Sequence, residues 1–254
     1  MDPEPIPVRR TERGERAPDH TEPAIQCRTC GAGAPVDEHF CPQCSRILAL
    51  GRHGDYFTFF GLPRRLVLDL QDLERRFRDL SRRFHPDYFY NASPAERLAS
   101  LERSSYLNDA YRALRNPVNR IEHLLAIEGL PAATSEDPST GSAVGKVPPS
   151  LLEEVFALNE ELDEIRELRE SGADPAQLRS RLESSRVPIE RRRDEHEQQL
   201  QELMARWDSQ NDGAGDRRST LDALRERLLE RNYINNLLAT IDREMAALAA
   251  SAEA

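Results

Sequence analysis

The chain has 254 residues, 38% apolar and 31% charged, with 12 glycines and a formal net charge of −10. That length allows one large or two small domains, and a lean apolar content rich in Glu, Arg, Leu and Ala favours elongated, solvent-laced helices. The acidic balance speaks against a general affinity for nucleic acid or anionic membrane, and no apolar run approaches a membrane span.

Residues 1–24 mix Arg9, Arg10, Arg13 and Arg16 with Asp2, Glu4, Glu12, Glu15 and Asp19. There is no hydrophobic signal core, and a transit peptide would be poor in acids. The segment reads as a disordered tail of a cytoplasmic protein, with the mitochondrial matrix as the alternative for a eukaryotic source. Residues 25–50 hold all four cysteines, as Cys27-Arg28-Thr29-Cys30 and Cys41-Pro42-Gln43-Cys44 with ten residues between the pairs. Four thiolates in two tight turns suit a tetrahedral zinc ion, and Gly31 and Pro42 suit the tight backbone of a knuckle. The alternatives are two redox dithiols or two disulfides. No βαβ context surrounds either pair, and nothing suggests secretion. A closed four-thiolate shell has no open position for chemistry, so the zinc is structural. It also leaves no ligand place for His39, which is expected at the surface.

A polar connector (Leu50-Gly51-Arg52-His53-Gly54) leads to a dense helical block over residues 55–130. Asp55 can N-cap a short helix that Gly61 and Pro63 end. Asp69 or Asp72 starts the next helix. Its Leu70, Leu73, Phe77, Leu80 and Phe84 step three, four, three, four into one apolar stripe. The remaining surface carries Arg75, Arg76, Arg78, Arg82 and Arg83, offset between residues 74 and 84 only by Glu74 and Asp79. That face is either a solvated surface with i,i+4 pairs or a docking surface. Pro86 stops the helix. Ser93-Pro94-Ala95-Glu96 opens another with a capping box, Leu98, Leu101, Leu107, Ala110, Tyr111 and Leu114 are its expected inner face, and Asn116-Pro117 ends it. His85-Pro86-Asp87 therefore begins the loop between two antiparallel helices. Asp87 could orient His85 as a general base, but no nucleophile, oxyanion donor or open metal position accompanies the pair.

Residues 131–148, rich in Pro, Ser, Thr, Gly and Ala, read as a linker. Residues 149–250 are helical again, with breaks near Ser171-Gly172 and Asn211-Asp212-Gly213. Leu151, Val155, Leu158, Leu162 and Ile165 step four, three, four, three, a seam suited to a small bundle. Leu152 and Phe156 lie about 100° or more off that seam, and Glu160, Asp163 and Glu164 continue their face. This second face either widens the core stripe or forms a recognition surface. Pro188 is expected to begin a helix.

A basic helix, then His85-Pro86-Asp87, then a helix ending in Leu107-Asn108-Asp109-Ala110-Tyr111-Arg112-Ala113-Leu114-Arg115-Asn116-Pro117 resembles a J domain. Asp55-Tyr56-Phe57-Thr58-Phe59-Phe60-Gly61-Leu62-Pro63, Asn116-Pro117-Val118-Asn119-Arg120-Ile121-Glu122-His123-Leu124-Leu125 and Leu158-Asn159-Glu160-Glu161-Leu162-Asp163-Glu164-Ile165 resemble the HscB family of iron–sulfur co-chaperones. The likeness covers roughly residues 55 to 245, most strongly in the first half. It implies a mainly α fold: a J-domain helical hairpin at 55–130, a C-terminal three-helix scaffold-binding bundle at 149–250, and the small N-terminal zinc knuckle that some members carry. It implies that His85, Pro86 and Asp87, with Arg75, Arg76, Arg78, Arg82 and Arg83, dock on a DnaK- or HscA-class chaperone and stimulate its ATPase. It implies that Leu152, Phe156, Glu160, Glu164 and Tyr233 bind the iron–sulfur scaffold IscU and deliver it for cluster transfer. Glu153 and Ala157 depart from the family pattern, which has an apolar and an acidic residue there. The protein itself would do no bond chemistry. Two other readings are a J-domain protein with a different client and a zinc-ribbon adaptor for nucleic acid or transcription. Against the second stand the acidic balance and the lack of basic-aromatic interleaving near the cysteines.

Overall fold

The computed structural model describes residues 24–51, 55–130, 149–210 and 216–252. The expected tail up to residue 23, residues 52–54 of the connector, the linker and the break near residue 212 lie outside the described residues. Strands β1 (Ala24–Gln26) and β2 (Gly33–Pro35) pair antiparallel around the first cysteine pair. The helical block contains α1 (Tyr56–Phe59), α2 (Leu70–Phe84), α3 (Pro94–Arg115) and α4 (Pro117–Ile127). Each start is fixed by a side-chain cap: Asp55, Asp69, Ser93 with Glu96 in a reciprocal box, and Asn116. Beyond the linker come α5 (Leu152–Glu170), α6 (Pro175–Gln210) and α7 (Arg217–Ala252).

The α2–α3 hairpin closes over Phe57, Phe59, Phe60, Leu73, Leu80 and Phe84, met by Ala99, Leu107, Ala110 and Leu114. The inner face of α3 differs from the expectation in its first half. Leu98 and Leu101 are 52% and 55% exposed, and Ala99, Ser100 and Arg103 face inward instead. The reason is that this half of α3 packs on the cysteine segment. Short side chains let the backbones approach, and Arg103 reaches across to donate to Leu48 O, Ala49 O and Glu38 O. Leu70 also stays exposed.

In the bundle, the seam on α5 meets its expectation. Leu151, Leu158, Leu162 and Ile165 are buried against Leu178, Leu182 and Ile189 of α6 and Ile234, Leu238 and Ile241 of α7. Pro188 corrects an expectation, because it lies inside α6 rather than at a helix start. Pro188 and Ser184, whose carbonyl loses its intrahelical donor, are both exposed, so water can satisfy the freed group and the helix continues. Helices α6 and α7 run 36 residues each and overshoot the 19-residue α5. Their far halves bury Leu200, Met204, Trp207, Leu221, Leu224 and Leu228 against Leu66, Ile121, Leu124 and Leu125. Polar contacts fix the same junction. Asp208 accepts from Leu66 N and Val67 N at 2.7 and 2.8 Å, and Trp207 Nε1 donates to Arg64 O. Among the described residues no helix is long and apolar enough to cross a membrane.

Candidate functional site

The first site is the hairpin tip. Pro86 has no N–H and biases the preceding residue to extended backbone, so α2 ends with His85 at φ −56° and ψ 128°. The carbonyl of buried Phe84 accepts instead from Ser100 Oγ at 2.6 Å and Ser104 Oγ at 3.1 Å of α3. Pro86–Phe89 then forms one 3₁₀ turn. His85 Nδ1 accepts the Asp87 N–H at 3.3 Å and lies 3.5 Å from Asp87 Oδ2. His85, Pro86, Asp87 and Tyr88 are all exposed. The tip is thus stiffened from behind by two hydroxyls and presented to solvent in front.

The arginine face of α2 divides in two. Arg75, Arg78 and Arg82 stay on the outer surface, paired with Asp72, Glu74 and Asp79 one turn back. Exposed pairs of this kind contribute little to stability, roughly 0.2–1 kcal/mol, so their guanidinium groups remain available to a partner. Arg76 and Arg83 are engaged by the protein. Arg76 binds Asp72 Oδ2 and the carbonyls of Phe60 and Gly61, and the Arg83 guanidinium lies 4.5 Å over the Phe40 ring.

The four cysteines form the second site. All four Sγ atoms lie within 4.8 Å of one another, with Cys27–Cys44 and Cys30–Cys41 at 3.6 Å. Four metal–sulfur bonds of about 2.3 Å in a tetrahedron give sulfur edges of about 3.8 Å, so the cluster fits one ion. It does not fit disulfides, whose sulfurs lie about 2.05 Å apart. The two turns share one backbone pattern. Gly31 N donates to Cys27 O and Ser45 N to Cys41 O, while Cys27 N donates to Ala32 O and Cys41 N to Arg46 O. The closing residues are left-handed, Gly31 at φ 74° and Ser45 at φ 57°. The N–H groups of Cys30 and Thr29 aim at Cys27 Sγ and bring its thiol down to about 6. Those of Cys44 and Gln43 lower Cys41 against burial. Cys44 receives only the Arg46 N–H, and burial with the three neighbouring sulfurs pushes it up to about 12. Backbone N–H groups thus lower two of the four thiols, Cys27 and Cys41, in a cluster whose size fits one cation.

His39 is not a free surface residue as expected. Its Nε2 donates to Phe59 O at 3.0 Å, and its Nδ1 accepts from Arg103 Nη1 at 2.8 Å. Its ring meets Phe59 and Phe84 edge-on. It bolts the cysteine segment to the hairpin, and its place between the cysteine pairs was the signal that a structural role could have been read from.

The third site is the outer face of α5. Leu152 and Phe156 are 39% and 70% exposed, with Glu160 exposed one turn beyond. Glu164 shares the strip but is tied to Arg181 Nη2 at 2.6 Å, and Glu161 takes the same guanidinium in a two-pronged pair. Tyr233 of α7 is half-buried on the bundle core. Leu152 and Phe156 therefore do not widen the core.

No family model matches the chain. Among solved structures, the human co-chaperone protein HscB aligns over 86% of this chain and 98% of its own, with a TM-score of 0.56 and 24% identity. Chaperone HscB from Vibrio cholerae aligns over 76% of this chain and 99% of its own, with a TM-score of 0.50 and 27% identity. The chain shares the fold of the HscB co-chaperones and carries an N-terminal cysteine cluster able to hold a metal ion.

Proposed function

We propose that the chain is an HscB-type co-chaperone that joins a DnaK- or HscA-class ATPase to an IscU-type iron–sulfur scaffold. The observation that carries this reading is the exposed His85-Pro86-Asp87 turn, held rigid at the tip of the α2–α3 hairpin in a chain of HscB fold. Residues 55–130 act as the J domain. Asp87 and the outward Arg75, Arg78 and Arg82 supply the charge that docks on the ATPase, while Arg76 and Arg83 shape the surface. Residues 149–250 bind the scaffold through Leu152, Phe156 and Glu160. Glu164 and Tyr233 flank that strip, and Glu164 contributes less because Arg181 already neutralises it. One structural zinc occupies Cys27, Cys30, Cys41 and Cys44, and bond chemistry takes place in the partner. Holding both partners on one body raises their effective concentration and couples hydrolysis to cluster release.

Stimulation of the chaperone ATPase by the wild-type chain and by His85→Gln tests the docking role. The wild type stimulates turnover and the variant, folded and metal-loaded, does not. Equal stimulation by both refutes it. Pull-down of purified IscU by the wild type and by Leu152→Ala/Phe156→Ala tests the second surface. Retained binding by the variant removes the scaffold site from α5, and a wild type that binds no IscU points to a different client.

A further inference from the structure

The cysteine segment touches both ends of the docking loop, residues 85–92. At the entry end, the His39 ring meets buried Phe84 edge-on at 5.0 Å, and Phe40 stacks on Phe84 at 6.0 Å. Phe84 immediately precedes His85. The neighbouring Arg83 guanidinium lies over the same Phe40 ring. At the exit end, Arg46 Nη1 donates to Glu96 Oε1 at 3.1 Å. The other oxygen of that carboxylate accepts Ser93 N and closes the capping box of α3. The loop therefore hangs between two anchors, each partly made by residues beside the cysteines.

The second cysteine pair sets the distance between those anchors. His39 and Phe40 enter it and Arg46 leaves it. Arg46 O accepts the Cys41 N–H, His39 O accepts the Leu48 N–H, and Phe40 pairs with Ile47 in a bridge. Cys41 and Cys44 thus close a small hairpin whose two legs carry the two anchors. Closing it draws four sulfurs into one cluster, an arrangement that a bound cation stabilises. Of the eleven buried residues in the apolar core under α2 and α3, ten come from residues 57–114 and one, Ile47, from the cysteine segment, so most of that core persists when the anchors let go.

We propose that the metal-loaded knuckle is a splint for the docking loop. His39, Phe40 and Arg46 are positioning residues that hold His85–Ala92 in one shape, and loss of the ion frees the loop while α2 and α3 stay folded. The functional consequence rests on the docking role proposed above, but the structural test does not. Two loop amides serve as reporters: Tyr88 N bonded to His85 O and Ala92 N bonded to Phe89 O, both at 3.0 Å. Hydrogen exchange is followed on the full chain in four states: metal-loaded, stripped by a zinc chelator, Arg46→Ala, and Phe40→Ala/Arg46→Ala. Metal content is measured alongside.

Removing one cation–π contact and one partly exposed ion pair should speed exchange at Tyr88 and Ala92 roughly fivefold. The double variant shows this with its metal retained, the stripped wild type shows it too, and Arg46→Ala gives a smaller effect in the same direction. Amides of α6 and α7 do not change. Unchanged reporters in the stripped chain or in the double variant overturn the splint. Loss of α2 and α3 protection on stripping overturns it as well, because the ion then supports the whole hairpin. ATPase stimulation is measured in the same samples, and stripping lowers it in the wild type but adds nothing in the double variant. If His85→Gln stimulates like the wild type, the docking role fails, and the splint is judged by exchange alone.

Discussion

The α2–α3 hairpin is gripped on two sides by unlike chemistry. On the knuckle side the centre is Arg103, fully buried, whose guanidinium serves three carbonyls and His39 Nδ1. On the bundle side the centre is Trp207, equally buried, among Leu, Ile and Met side chains with Asp208 and Arg120 at the margin. The first grip is directional and depends on the shape of a short segment that a bound ion would close. The second rests on apolar area and on two long helices that persist without any ligand. Both ends of the proposed docking loop meet the cysteine segment on the side of the first grip. If the loop docks as proposed, a conditional grip beside it would transmit whether the cysteine cluster holds an ion, whereas an unconditional one would only hold the two halves in register.

The largest expected effect breaks the bundle grip. Trp207→Ala should cost about 3–5 kcal/mol, the usual range for emptying a large aromatic site. In urea the wild type should unfold the hairpin and bundle together, and the variant should show two separate transitions. A single transition shifted by less than about 1 kcal/mol would mean that the junction carries no coupling. Next, Arg103→Met keeps the stem but removes the guanidinium donors that serve three carbonyls and His39, a loss of about 2–4 kcal/mol. That change should also weaken metal retention in a competition assay with a chromophoric chelator, whereas Trp207→Ala should not. If both variants weaken metal retention equally, the two grips are not independent.

These two residues also mark what could be read in the sequence. The caps at Asp55 and Ser93, a helix start at Asp69 or Asp72, the helix end at Asn116, the paired cysteines and the α5 seam are local patterns. The structure forms each of them, with Asp69 as the cap and with Asn116 also capping α4, which was not expected. Arg103 is different. An arginine on a charged helix reads as surface, and it is the carbonyls of Glu38, Leu48 and Ala49 with His39 Nδ1, all more than 50 positions away, that draw it inward. The same packing explains why Leu98 and Leu101 face solvent although their spacing suited a core stripe. The Asp208 contact to Leu66 spans 142 positions and has no periodic signature at all. Pro188 was misread because proline punctuates helices by rule, and the rule lapses where the freed carbonyl faces water. The place of His85-Pro86-Asp87 at the start of a loop followed from proline geometry, whereas its support by Ser100 and Ser104 required the packed hairpin.

The smallest expected effect is a difference in sign. Protons compete with the ion for thiolates, so acidification from about pH 7 toward about pH 5 should loosen the knuckle grip. The bundle grip should respond the other way. Burial pushes the Asp208 carboxyl up, against the N–H groups of Leu66 and Val67 and the attraction of Arg65 and Arg120. A carboxyl raised in the folded chain binds its proton more tightly there than in the unfolded chain. Its stabilising contribution is therefore full below the unfolded value of 3.8 and is lost as pH rises through the folded value. Asp208→Asn removes that titration, so the stability margin of wild type over variant should widen between about pH 7 and about pH 4.5. Urea unfolding at both pH values measures the margin, and exchange at Tyr88 follows the knuckle in the same buffers. A margin that narrows would show that the two backbone N–H groups outweigh burial at Asp208. In that case both grips would loosen together in acid.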